Sequence, residues 1–106
     1  MLRDSARSVR LRRAILPRVR STDSLCAELQ ATWRGEIPLA AAMEIEAAGF
    51  TDGELVVRAP FIPNRNVHGT AFAGSLFTVC VLTAWGRIWL ALRERGLDGL
   101  IVVADS

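Results

Sequence analysis

Gly69 to Gly86, GTAFAGSLFTVCVLTAWG, carries no charged residue across 18 positions, and after Arg87 a second apolar run, Ile88 to Leu92, follows. An uncharged stretch of this length is either a membrane span or a helix that is apolar on every side because a soluble domain closes around it. Arg87, three glycines and four Ser/Thr residues within so short a segment weaken the membrane reading. What lies on either side favours the buried helix: a hairpin precedes it and a strand-like run follows, as a sheet wrapped around one helix requires. Arg93, Glu94 and Arg95 put charge at its C-terminal end, and Gly96 is suited to the left-handed residue that closes a helix.

Upstream, Ser21, Thr22, Asp23 and Ser24 offer N-caps for a short amphipathic helix whose apolar residues Leu25, Leu29 and Trp33 recur at four-residue spacing, with Gly35 expected to stop it. Pro38 opens a further helical turn through Ala42. Met43 to Ala48 and Glu54 to Ala59 read as two strands joined by Gly49, Phe50, Thr51, Asp52 and Gly53, with Asp-Gly as the turn signal. Pro60 and Pro63 then exclude regular pairing, so Phe61 to His68 is expected to be irregular and extended. Downstream, Leu100 to Ala104 reads as a buried strand. Three strands are few for a helix of this length, and the domain is expected to be incomplete in this chain.

The 106 residues suit one domain, and with 51% hydrophobic residues and a mean hydropathy of +0.28 the chain is not intrinsically disordered. The net charge of +2 conceals an asymmetry. Residues 1–20 hold seven Arg and one Asp, whereas the remainder holds six Arg against ten acids. A basic arm on an acidic body raises the question of nucleic acid or an anionic membrane, but the arm has no aromatic residue for base stacking, and residues 1–23 are expected to be a disordered extension. Its Arg-rich, acid-poor character also fits an organellar transit peptide. No secretory signal is seen, and Cys26 and Cys80 form neither a CxxC pair nor a Cys/His cluster; reduced, buried thiols without metal, in a soluble cytoplasmic setting, are expected.

At IPLAAAM (37–43), APFIPNRNVHGTAFAGSL (59–76), TAWG (83–86) and DGLIVVADS (98–106) the chain resembles the thioesterase-type domain found at the C-terminus of the YiiD-type acetyltransferase fusion and as stand-alone proteins. The resemblance covers residues 24–106. It implies an α+β hot-dog fold, an antiparallel sheet wrapped around a long central helix with two subunits joining their sheets in a homodimer. It also implies that members continue for further strands, so that this chain is the N-terminal part of such a domain. The implied activity is hydrolysis of acyl thioesters of coenzyme A or acyl carrier protein. Malonyl carrier-protein decarboxylation, giving acetyl carrier protein for fatty acid synthesis initiation, is the alternative found among relatives; a truncated, non-catalytic remnant is the other.

The residues available for that chemistry cluster before and at the start of the apolar helix. Backbone amides in the Gly69 to Ser75 turn, expected to open that helix, suit a thioester carbonyl oxygen, with Gly69, Thr70, Gly74 and Ser75 as substrate-binding positions. Glycines and small residues there serve tight helix–sheet packing equally well. Asn64 and Asn66 can donate an amide N–H to the substrate or orient a water, or can simply make Asx turns beside Pro63; the resemblance tips the choice towards Asn66, with Asn64 second. His68, the only histidine, fits a general base or a helix cap. Arg65, with Arg58, is a candidate for the phosphates of the carrier. No carboxylate occurs between Glu54 and Glu94, so hydrolysis would rest on Asn66, His68 and an oriented water, whereas decarboxylation needs chiefly N–H donors to an enolate. Trp33, Trp85 and Trp89 are assigned to packing. No cofactor is called for.

Overall fold

A computed structural model describes residues 21–97, 99, 101 and 102. Helix α1, Thr22–Glu36, starts where the polar run allows: Ser21 is extended (φ −68°, ψ 150°) and its hydroxyl accepts the Ser24 N–H at 3.2 Å. Leu25, Cys26, Leu29 and Trp33 form its buried stripe. Gly35, expected to stop the helix, lies within it. The terminator is Pro38, which pushes the preceding Ile37 into the extended region (φ −121°, ψ 99°) and then opens helix α2, Pro38–Met43.

The first strand begins later than the apolar pattern suggested. Met43 completes α2, and Glu44 adopts a left-handed conformation (φ 55°, ψ 41°) before strand β1, Glu46–Thr51, can start. Arg34 holds this reversal from α1, its Nε donating to Ile45 O at 2.9 Å and its Nη2 to Glu44 O at 3.0 Å. Strand β2, Glu54–Arg58, pairs antiparallel with β1. The turn between them is two residues, Asp52 (φ 51°) and Gly53 (φ 78°), both positive as a tight hairpin of matching twist requires. Gly49, Phe50 and Thr51, expected in the turn, belong to β1, and a register shift between Ala47 and Gly49 absorbs the extra residue.

The long helix α3, Ala73–Glu94, ends at a left-handed Gly96 (φ 67°), with Leu97 N–H reaching back to Leu92 O at 2.8 Å. It packs on β2 and α1, and α1 packs on β1. Leu25, Leu29, Trp33, Ile45, Phe50, Leu82, Trp89 and Leu90 form the core. Gly86 permits the closest approach: a Cβ there would stand 2.7 Å from Trp33 Cζ2 and 3.1 Å from Leu29 Cδ2. Trp85 joins the core's margin and donates its indole N–H to Ile101 O at 3.1 Å. Of the strand expected over 100–104, Leu100, Val103 and Ala104 lie outside the described residues, and Ile101 and Val102 carry no strand assignment.

The expectation of a helix buried on every side is corrected in this chain. Only Leu82, Gly86, Trp89 and Leu90 of α3 are buried, while Leu76, Phe77 and Ile88 are 56%, 61% and 51% exposed. Among the described residues the sheet has two strands, and two strands cover one side of a helix, not its whole circumference. By length and composition alone α3 is apolar enough to cross a membrane.

Candidate functional site

Between β2 and α3 the two prolines exclude regular pairing as expected: no strand forms, and Ile62–Asn64 makes a single 3-10 turn. The chain then folds back on itself, with Asn66 N–H donating to Thr70 O and Phe72 N–H to Asn64 O, each at 2.7 Å, and Arg65 bridging Ala71. This small closed loop, with Gly69 left-handed (φ 76°), corrects the expected helix start. Gly69, Thr70 and Ala71 are loop residues, and the first turn of α3 is Ala73, Gly74 and Ser75.

The two asparagines have different positions. Asn66 is consumed by the loop: its Oδ1 accepts the N–H of His68 at 2.9 Å and of Thr70 at 3.1 Å, and its Nδ2 donates to Thr70 Oγ1 at 2.8 Å. Asn64 is buried, 6% exposed, and its Nδ2 donates to Met43 O at 3.0 Å and Pro60 O at 2.7 Å, pinning the loop to the end of α2. Those two carbonyls fix the orientation of the amide, because only the NH₂ can donate to both. Asn64 Oδ1 is left buried with no hydrogen-bond partner among the described residues. A buried carbonyl oxygen without a partner costs on the order of 1–3 kcal/mol.

Asn64 lines a cleft of about 240 Å³ with Phe61, Ala71, Ser75, Leu76 and Val79 among its walls. A second cleft, about 180 Å³, lies at the same helix end between Leu39, Met43, Phe72, Gly74, Ser75 and Thr78. Ser75 belongs to both. The helix end itself has no side-chain cap: Phe72 occupies the N-cap position, and Leu76 N–H is the first to bond back, to Phe72 O at 3.1 Å. The amides of Ala73, Gly74 and Ser75 therefore have no partner within the helix, and the dipole gives them a partial positive charge.

Of the residues singled out from sequence, the structure brings Asn64, Gly74 and Ser75 to the clefts. Asn66, Gly69 and Thr70 shape the loop beside them. His68 and Arg65 are exposed and line neither cleft, Arg65 instead donating from Nη1 to Ile62 O at 3.2 Å. No titratable side chain lines either cleft among the described residues, nor do those residues hold a group of three His, Cys, Asp or Glu able to bind metal. The walls missed by the sequence reading are apolar residues. Ser75 and Val79 share a face by helical spacing, but Leu39 and Met43 arrive from α2 and no local signal points to them.

Comparison with known proteins fits this geometry. The protein-family model described as "Putative thioesterase (yiiD_Cterm)" matches residues 26–106. The crystal structure of the putative thioesterase from Shewanella oneidensis is similar at 48% identity and a TM-score of 0.76, over 78% of this chain and 61% of that one. A protein of unknown function from Chlorobaculum tepidum is similar at 28% identity and a TM-score of 0.70, over 74% of this chain and 48% of that one. The chain thus spans about half to three-fifths of the length of these solved relatives. With its hairpin, long helix and connecting loop in the arrangement of those structures, the chain belongs to the yiiD C-terminal thioesterase family of hot-dog folds.

Proposed function

We propose that this chain binds an acyl thioester of coenzyme A or acyl carrier protein at the start of α3 and hydrolyses it. The observation that carries the reading is the buried, unpartnered Asn64 Oδ1 beside a helix end whose first amides are uncapped. The carbonyl oxygen of the thioester accepts from the amides of the Ala73 to Ser75 turn, which stabilise the negative charge that grows as the carbonyl is attacked. Asn64 Oδ1 accepts a hydrogen bond from the attacking water and orients it, without taking its proton. Water's oxygen bonds to the acyl carbon, the C–S bond breaks, and the proton passes to the departing thiolate. Asn66 acts as a positioning residue through the loop it closes. The exposed side of α3 is covered by a second copy in a soluble homodimer, and the unpaired cysteines suit a cytoplasmic setting.

A second reading is favoured by the absence of titratable groups from the cleft walls among the described residues. Decarboxylation of a malonyl thioester requires no base: carbon dioxide leaves with cleavage of its C–C bond, the electron pair becomes an enolate held by the same amides, and a proton from water gives the acetyl thioester.

Acetyl-CoA and malonyl-CoA distinguish the two. Release of free thiol from either supports hydrolysis, the acetyl thioester formed from the malonyl one without thiol supports decarboxylation, and no change in either acyl group, presented on coenzyme A and on acyl carrier protein, rejects both. The amides are tested by Ala73→Pro. Phe72 is already extended (φ −72°, ψ 129°), so a following proline fits the first helical turn and removes one N–H. A fall in kcat/KM of about 100-fold is expected for loss of one such donor. An unchanged rate would place the oxyanion elsewhere.

A further inference from the structure

Resting on the hydrolytic reading above, we propose that the Ser75 hydroxyl carries the proton of the reaction, taking one from the attacking water while giving its own to the departing sulfur. The cleft walls show why a carrier is needed. No titratable side chain lines either cleft among the described residues, and Asn64 Oδ1, an amide oxygen, accepts a hydrogen bond without taking a proton. A hydroxyl accepts through a lone pair and donates through its hydrogen at the same moment, so it passes a proton on without holding a charge itself. Two hydroxyls line the clefts among the described residues, those of Ser75 and Thr78.

Their places along α3 separate them. Inside a helix a Ser or Thr hydroxyl can turn back to the carbonyl four residues earlier. Thr78 does so to Gly74 O at 2.8 Å and Thr83 to Val79 O at 2.6 Å, which commits their hydrogens. Ser75 stands in the first turn, where the carbonyl four residues back is that of the loop residue Ala71, and that oxygen accepts from Asn66 Nδ2 at 3.4 Å. The Ser75 hydroxyl has no hydrogen-bond partner among the described residues. Half-buried, Ser75 lines both clefts, and in one of them it shares the walls with Asn64, whose buried Oδ1 also lacks a partner. The Cα–Cβ bond of a helical residue tilts towards the helix N-terminus, so Ser75 leans over the turn whose amides are uncapped.

The step balances with water as the one co-reactant. The water oxygen bonds to the acyl carbon, and a water proton moves to Ser75 Oγ as the Ser75 proton moves to sulfur. The C–S bond breaks with its electron pair on sulfur, leaving a carboxylic acid, a thiol and an unchanged serine. The nearby amides stabilise charge on the carbonyl oxygen. The hydroxyl instead moves protons, a contribution of about 100-fold or more for a positioned group.

The test uses the full chain and the acetyl thioester on coenzyme A or acyl carrier protein, whichever the wild type hydrolyses. Ser75→Ala leaves a residue well suited to a helix, and circular dichroism verifies the fold. A fall of about 100-fold in kcat with KM unchanged is expected, because the relay exists only in the transition state. In mixtures of H₂O and D₂O the wild-type kcat is expected to follow a curve, as both protons move together, whereas that of Ser75→Ala follows a straight line. Should Ser75→Ala fail to fold, the wild-type curve decides alone. An equal kcat in folded Ser75→Ala, a loss confined to KM, or a straight line for the wild type overturns the relay and leaves hydrolysis standing. No hydrolysis by the wild type on either carrier overturns the hydrolytic reading and the relay with it.

Discussion

The two halves of α3 do opposite things, and the less apolar one is the half that packs: 73–81 carries no charge and is open, whereas 82–94 carries Arg87, Arg93 and Glu94 and is packed. From Leu82 onwards the helix is a packing element: Leu82, Gly86, Trp89 and Leu90 are buried, Arg87 reaches Gly53 O at 2.7 Å and lies over the Phe50 ring, and Arg93 lies over Trp89. Before Leu82 the helix is open, with Leu76 and Phe77 exposed, small residues at Gly74 and Ser75, and clefts on two sides of its first turn. Hydropathy would have put the burial in the other half. What separates them is whether α1 and β2 stand opposite, and the half left uncovered is where backbone amides and an unpartnered carbonyl oxygen gather.

The contrast is broken most severely from the packed side. Trp33→Ala removes the largest fully buried side chain, and a loss of about 3–5 kcal/mol in urea unfolding is expected for an aromatic truncated in a core. Gly86→Ala adds one methyl where Trp33 and Leu29 leave no room; overpacking costs about 1–3 kcal/mol, partly offset by alanine's better helix propensity, so a lower denaturation midpoint is expected. A neutral or stabilising Gly86→Ala would mean that the packed half is looser than described.

The cysteines sharpen the same contrast at smaller cost. Cys26 is buried in α1 as expected, whereas Cys80, also expected to be buried, is exposed on the uncovered side of α3. Burial, and secondarily the nearby Asp23 charge, pushes the Cys26 thiol up, so less of it is thiolate at any given pH. Alkylation at neutral pH is expected to label Cys26 only on unfolding, with its labelling rising as the medium becomes alkaline, and to label Cys80 in a dilute monomer but not in the proposed dimer. Full labelling of Cys80 at concentrations where the chain is dimeric would show that the partner does not cover this side of α3.

Much of the fold was legible because its signals are local. The Ser21 cap, the Asp52-Gly53 turn and the Gly96 terminator are each set by a residue and its immediate neighbours. Errors arose where a distant group decides. Gly35 is carried through α1 because it lies on the exposed side, and the late start of β1 depends on Glu44 being held left-handed by Arg34 ten residues earlier. The site divides in the same way. Asn66 and Asn64 look alike in sequence; Asn66 bonds within four or five residues, whereas Asn64 is fixed by Met43 O, 21 residues away, a partner no local pattern reveals.

The central claim is that Asn64, which lines the cleft at the open half of α3, serves a thioester. It is tested most directly by comparing the wild-type chain with Asn64→Ala for consumption of acetyl-CoA and malonyl-CoA, with circular dichroism recorded on both. The account predicts turnover by the wild type, a fall of about 100-fold in kcat/KM for the variant, and an unchanged dichroism spectrum. Equal turnover by a folded Asn64→Ala, or no turnover by a folded wild type, would contradict it.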